Sequence, residues 1–170
     1  MTLAPDQFAP ATPAAPHSST APDVTALLPS REALLERLAR ELPTAAQEPV
    51  TLLVLGLLRR DDGWPAAAGT VAQATSLVAR SVRGDDWMAA CGPGDFGIVL
   101  RGPVSAAQTA ATRLVSAVPG LGAPGLSAAA GIAPVDPGLA AGEIFRRAVL
   151  SLTTARRVGG GTVISYREPA

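Results

Sequence analysis

The 170-residue sequence has no lysine and no asparagine, and only one cysteine and one histidine. With Cys91 alone, an intrachain disulfide framework and a cysteine metal cluster are both excluded. His17 is equally alone and leaves no basis for a histidine-centred site. No apolar run approaches the roughly 20 residues that span a bilayer. The N-terminus lacks the basic segment and apolar core of a secretory leader, so a cytoplasmic protein is expected. Charge of either sign is not in surplus: 14 basic residues face 14 acidic ones. That balance argues against broad binding to nucleic acid or to a membrane surface. The exclusive use of arginine is read as a coding bias rather than a device.

What is present is one domain's worth of alternating apolar pattern behind a polar tail. Residues 1–22 are rich in Ala, Pro, Ser and Thr and cannot bury enough surface to offset their ordering entropy. They are predicted to be a disordered tail, and residues 23–170 a single folded domain. Ser30 is placed to cap a helix whose Leu34, Leu35, Leu38 and Leu42 form one stripe, with Glu36 and Arg40 paired outside it. Val50–Leu58 is almost wholly apolar, as a central strand covered on both faces requires. A second helix is predicted over 67–82, with Val71, Ala74, Val78 and Val82 inward. A third, over 105–118, buries Ala107, Ala110, Ala111, Leu114 and Val118. Leu126–Pro134 reads as a strand of small residues, Glu143–Arg157 as a fourth helix closed by glycines, and Thr162–Tyr166 as a last strand. Strands alternating with helices, with one antiparallel hairpin, predict an α/β fold: a mixed sheet of about five strands with helices on its faces.

The hairpin carries the most specific signal. Pro93-Gly94 is the strongest turn dipeptide in the chain, flanked by Trp87-Met88-Ala89 and by Phe96, Ile98 and Val99. The run Gly92-Pro93-Gly94-Asp95-Phe96 resembles the signature of the GGDEF family, the diguanylate cyclases, which join two GTP molecules into cyclic di-GMP. The resemblance extends over most of the predicted domain. Asp23, Leu28, Pro29 and Arg31 match the family's opening segment, and Gly131-Ile132-Ala133 matches its Gly-Ile-Ala strand. Arg146, Arg147, Ala148, Leu152, Ala155, Arg157, Gly159, Gly160, Val163 and Tyr166 stand where the family commonly has them.

The resemblance implies a catalytic centre that this chain lacks the residues to build. Cyclases of the family use two metal ions for phosphoryl transfer. The metal carboxylates fall here on Gly56, with Leu58 at the second acidic position, and on Gly94. Pro93 replaces the glycine that lets backbone approach phosphate, and it removes an N–H donor. Asp95 retains an acid, read as a turn residue, and the triphosphate-binding lysine is Arg156. The loop Arg59-Arg60-Asp61-Asp62-Gly63-Trp64-Pro65 lacks the base-reading asparagine, and Asp61-Asp62 is read as a solvated turn. No catalytic activity, metal or cofactor is therefore expected.

A second constellation is better kept. Many family members carry an inhibitory product site, Arg-x-x-Asp, shortly before the signature. Arg83-Gly84-Asp85-Asp86 stands at that spacing, with Trp87 to Cys91 between it and Gly92. Arg83 can fork onto guanine O6 and N7 or onto phosphate, while Asp86 accepts from guanine N1 and N2. Arg113, off the apolar stripe of the third helix, matches the family's further arginine. The alternative for Arg83, Asp85 and Asp86 is a plain polar turn. Two functions are thus expected to compete. One is a catalytically silent receptor for cyclic di-GMP through Arg83, Asp86 and Arg113, with ligand promoting a homodimer. The other is a ligand-free module for contact with itself or an unidentified signalling protein, since any signal would pass through another chain.

Overall fold

A computed structural model describes residues 24–59 and 66–168. The predicted tail with His17, the matched Asp23 and the 60–65 loop containing Asp61 and Asp62 lie outside the described residues. The apolar run at 50–58 becomes the middle of the molecule. Strand β1 (Val50–Arg59) pairs antiparallel with β3 (Asp95–Arg101) on one side and with β4 (Leu126–Pro134) on the other. β2 (Trp87–Gly92) completes the antiparallel hairpin with β3 at one edge, and β5 (Val163–Ser165) lies parallel to β4 at the other. The sheet order is β2-β3-β1-β4-β5, a five-stranded mixed sheet.

Because side chains alternate along a strand, β1 feeds both faces at once. Leu53, Leu55 and Leu57 pack with Ala74 and Val78 of α2 (Ala68–Ser81) and with Ala107, Ala111 and Leu114 of α3 (Val104–Ala117). Leu52 and Val54 pack with Leu34 and Leu38 of α1 (Arg31–Ala45) and with Ile144, Ala148, Leu152 and Ala155 of α4 (Ala141–Val158). Each fully buried leucine contributes roughly 1.5–3 kcal/mol, and this double core explains why only a continuously apolar segment can occupy the centre. α4 lies especially close to the sheet. A Cβ on Gly131 of β4 would run into the backbone of Ala148 and Leu152, so the helix rests on that strand main chain to main chain.

The α/β expectation is met, with corrections at the level of residues. Ser30 caps α1 through Ala33 N–H, at 3.4 Å. The predicted Glu36–Arg40 ion pair is replaced: Arg40 Nε donates to the Glu36 backbone carbonyl at 3.3 Å, a contact available within one helical turn. Ala110 is half-buried, and Val115 takes the inward position instead. The predicted strand at 162–166 keeps three residues as strand, although Ala130 N donates to Thr162 O and Tyr166 N to Ile132 O beyond its ends. Two short 3-10 helices, Val24–Leu27 and Val118–Leu121, were not foreseen. Among the described residues no helix is long and apolar enough to cross a membrane.

Candidate functional site

Arg83, Asp86 and Arg113 come together. They line one cleft of about 270 Å³ between the end of α2, the hairpin and α3, with Leu53, Ile98 and Leu114 behind them. The turn that leads from α2 into β2 fixes the acid. Arg83 N donates to Asp86 Oδ2 at 3.0 Å, and Asp86 N donates back to Arg83 O at 3.1 Å. The polar-turn reading is thus correct as far as it goes, but it uses only one carboxylate oxygen. Arg83 and Arg113 are both exposed, and neither has a carboxylate partner among the described residues. Two unpaired guanidiniums beside one partly engaged carboxylate make a net-positive, partly apolar recess suited to an anionic ligand with flat rings.

Sequence reasoning missed a further residue of this cleft, Arg101, at the C-terminal end of β3. The hairpin register held the signal. Trp87 faces Val99, so the strand end at Arg101 runs alongside the Arg83–Asp86 turn.

A second arrangement lies on the opposite face. Gly56 and Asp95 are cross-strand partners between β1 and β3. Arg156, in the last turn of α4, pairs with Asp95 Oδ1 through Nη2. Its guanidinium occupies the space above Gly56, where any Cβ would collide with it. Asp95 is therefore more than the turn residue expected from sequence; it is half of a part-buried ion pair. Leu57, Leu58, Arg59 and Pro93 surround this pair. Among the described residues no group of three or more His, Cys, Asp or Glu side chains is gathered as a metal ion would need.

No protein-family model matches the sequence, and no curated protein sequence matches it either. Solved structures do. The coiled coil and GGDEF domain of DgcB from Caulobacter crescentus, in complex with c-di-GMP, matches at a TM-score of 0.71 and 21% identity, over 81% of each chain. The active GGEEF domain of a diguanylate cyclase from Vibrio cholerae matches at 0.70 and 17% identity, over 84% of this chain and 99% of that one. The diguanylate cyclase SiaD of Pseudomonas aeruginosa, in complex with its activator SiaC, matches at 0.70 and 21% identity, over 81% of this chain and 58% of that one. The fold is that of a GGDEF domain.

Within this GGDEF fold, Gly92-Pro93-Gly94-Asp95-Phe96 forms the β2–β3 connection, as its resemblance to the signature implied. Gly94 has φ +73°, a conformation that disfavours any side chain, so a glycine here serves the turn itself. Its carbonyl accepts from Leu57 N at 2.9 Å, tying the turn to β1. Phe96 is 1% exposed and belongs to the core rather than to a binding surface. Cys91, at the end of β2, has its thiol pushed up to about 12, first by burial and then by the Asp95 charge.

Proposed function

We propose that this GGDEF-fold domain is catalytically silent and serves as a receptor for cyclic di-GMP, bound in the cleft of Arg83, Asp86 and Arg113. The observation that carries the reading is the convergence of the Arg83–Asp86 turn with Arg113, from a different element of the fold, on one recess. Each guanidinium offers a forked donor to phosphate or to guanine O6 and N7. The free Asp86 oxygen accepts from guanine N1–H or N2, donors that adenine lacks at those positions. The neighbouring structures with bound c-di-GMP make the same ligand a reasonable one for this fold.

Silence is supported by the donor set at the other site. Gly56, Leu58 and Gly94 carry no metal-ligating side chain, and the remaining carboxylate, Asp95, is already paired with Arg156. These residues do not fit a two-metal centre, and Pro93 adds bulk where phosphate would approach.

Calorimetric titration with cyclic di-GMP tests the reading. Wild-type protein is expected to bind at micromolar concentrations or below. Arg83→Ala or Asp86→Ala should each lose roughly 1–3 kcal/mol, on the order of tenfold to a hundredfold in affinity. Sedimentation with ligand reports whether binding promotes a homodimer. Incubation with GTP and magnesium or manganese should yield no cyclic di-GMP. Wild-type protein that ignores cyclic di-GMP well above micromolar concentrations would instead favour the ligand-free module, acting through contact with an unidentified signalling protein.

A further inference from the structure

Arg101 has two possible occupations, and the geometry around it is built for exchange between them. The alternation of β3 sets Arg101 with Val99 on the α1 face, yet it stands at the strand's last position and also lines the cleft. Its backbone is held firmly. Gly102 N donates to Pro49 O and Thr51 Oγ1 donates to Gly102 O, each at 2.8 Å. Only the side chain is left to move, and it is 47% exposed.

On the α1 side, Arg101 Nη2 lies 3.4 Å from Glu41 Oε1. That same oxygen takes Arg37 Nη2 at 2.6 Å. Glu41 is 3% exposed, and neither its second oxygen nor Arg37 Nε has a hydrogen-bond partner. One oxygen thus serves two guanidiniums, the closer of which is one helical turn away on α1. If Arg101 leaves, Glu41 keeps Arg37, so no buried carboxylate is stranded without a counter-charge. The main cost of breaking a buried ion pair is avoided. On the cleft side, an anionic phosphate would offer Arg101 a forked contact beside the unpaired Arg83 and Arg113.

We propose that Arg101 is an exchangeable guanidinium, held by Glu41 in the free protein and transferred to a ligand phosphate when the cleft is filled. This rests on the reading of the cleft as a cyclic di-GMP site, and it adds a route by which occupancy reaches α1 on the opposite face. Because such coupling is reciprocal, whatever strengthens Glu41's hold on Arg101 weakens the ligand, and the converse holds too.

The test is calorimetric titration of folded wild-type and variant protein with cyclic di-GMP. Arg101→Ala should weaken binding by about fivefold or more. Glu41→Gln should tighten it by a few-fold, and should have no effect in an Arg101→Ala background. Where Glu41→Gln proves poorly folded, Arg37→Gln is the complementary variant: it leaves Glu41 to Arg101 alone and should weaken binding. Affinity that depends on Arg83 but is unchanged in Arg101→Ala would overturn this proposal and leave the cleft reading standing. Additive effects of Glu41→Gln and Arg101→Ala would overturn the exchange. A wild-type protein that binds no cyclic di-GMP would overturn both readings.

Discussion

Substituting Gly56 by alanine should change sign with the residue at 156. In the wild-type background the new Cβ meets the Arg156 guanidinium, the far end of a flexible side chain, and drives it away from Asp95. The two partners are 30% and 24% exposed, between a surface pair worth about 0–1 kcal/mol and a buried one whose disruption costs about 3–5 kcal/mol. We therefore expect loss of the pair to cost about 1–2 kcal/mol. Against this, alanine is favoured over glycine inside a strand by roughly 0.5–1 kcal/mol. In an Arg156→Ala background the collision and the pair are both gone, and only the favourable part remains. Gly56→Ala should then stabilise. The difference between backgrounds, about 1–2 kcal/mol, corresponds to about 2–8 °C in melting temperature for a domain of this size. Thermal unfolding of the four proteins in the cycle, followed by circular dichroism, measures it. Effects of Gly56→Ala and Arg156→Ala that add to within about 0.3–0.5 kcal/mol would refute the geometry, because sites in contact should not behave independently.

Two further outcomes follow from titratable groups. Hydrogen bonds from Arg146 and then Arg147 hold the Glu143 carboxyl down at about 2. With the folded value below the unfolded one, the stabilisation is present above the unfolded range near 4.3 and lost as pH falls toward 2. Glu143→Gln should therefore flatten the stability profile between about pH 5 and pH 2 in acid-unfolding experiments, and an unchanged slope would count against the network. Cys91, with its thiol raised to about 12, should react slowly with an aromatic disulfide reagent at pH 8 and at the rate of a free thiol once unfolded. Equal rates in both states would show that the thiol is not protected.

The layered fold was legible because its largest contributions come from periodicity. Leu34 and Leu38, the run from Val50 to Leu58, and the Pro93-Gly94 turn each state their own local structure, and the structure keeps all three. The cleft residues Arg83, Asp86 and Arg113 were legible through the resemblance to the GGDEF family, whose Arg-x-x-Asp spacing before the hairpin and further helix arginine they match; the apolar stripe of α3 added only that Arg113 would face outward. What escaped notice depends on contacts between distant segments. Asp95 and Arg156 meet only once α4 lies across β1, a separation of 61 residues. Arg101 and Glu41 are 60 residues apart and join the end of β3 to α1. The Glu36–Arg40 expectation failed for a simpler reason: an exposed arginine one turn away had a backbone carbonyl within reach.

Gly131 has a mechanical consequence. With no side chain between them, the main chains of α4 and β4 meet directly, and Ala148 and Leu152 are the points of contact. A helix seated on side-chain tips can slide or roll as rotamers change, but one seated on bare backbone has no such lubricating layer. α4 is therefore keyed to the sheet as an axle is keyed to a wheel, and it carries Arg156 at a fixed height above Gly56. A helix whose contacts end in flexible groups has more freedom to shift, and α1 is tied to the cleft in that way: none of its residues lines the recess, and Glu41 reaches it through the side chain of Arg101.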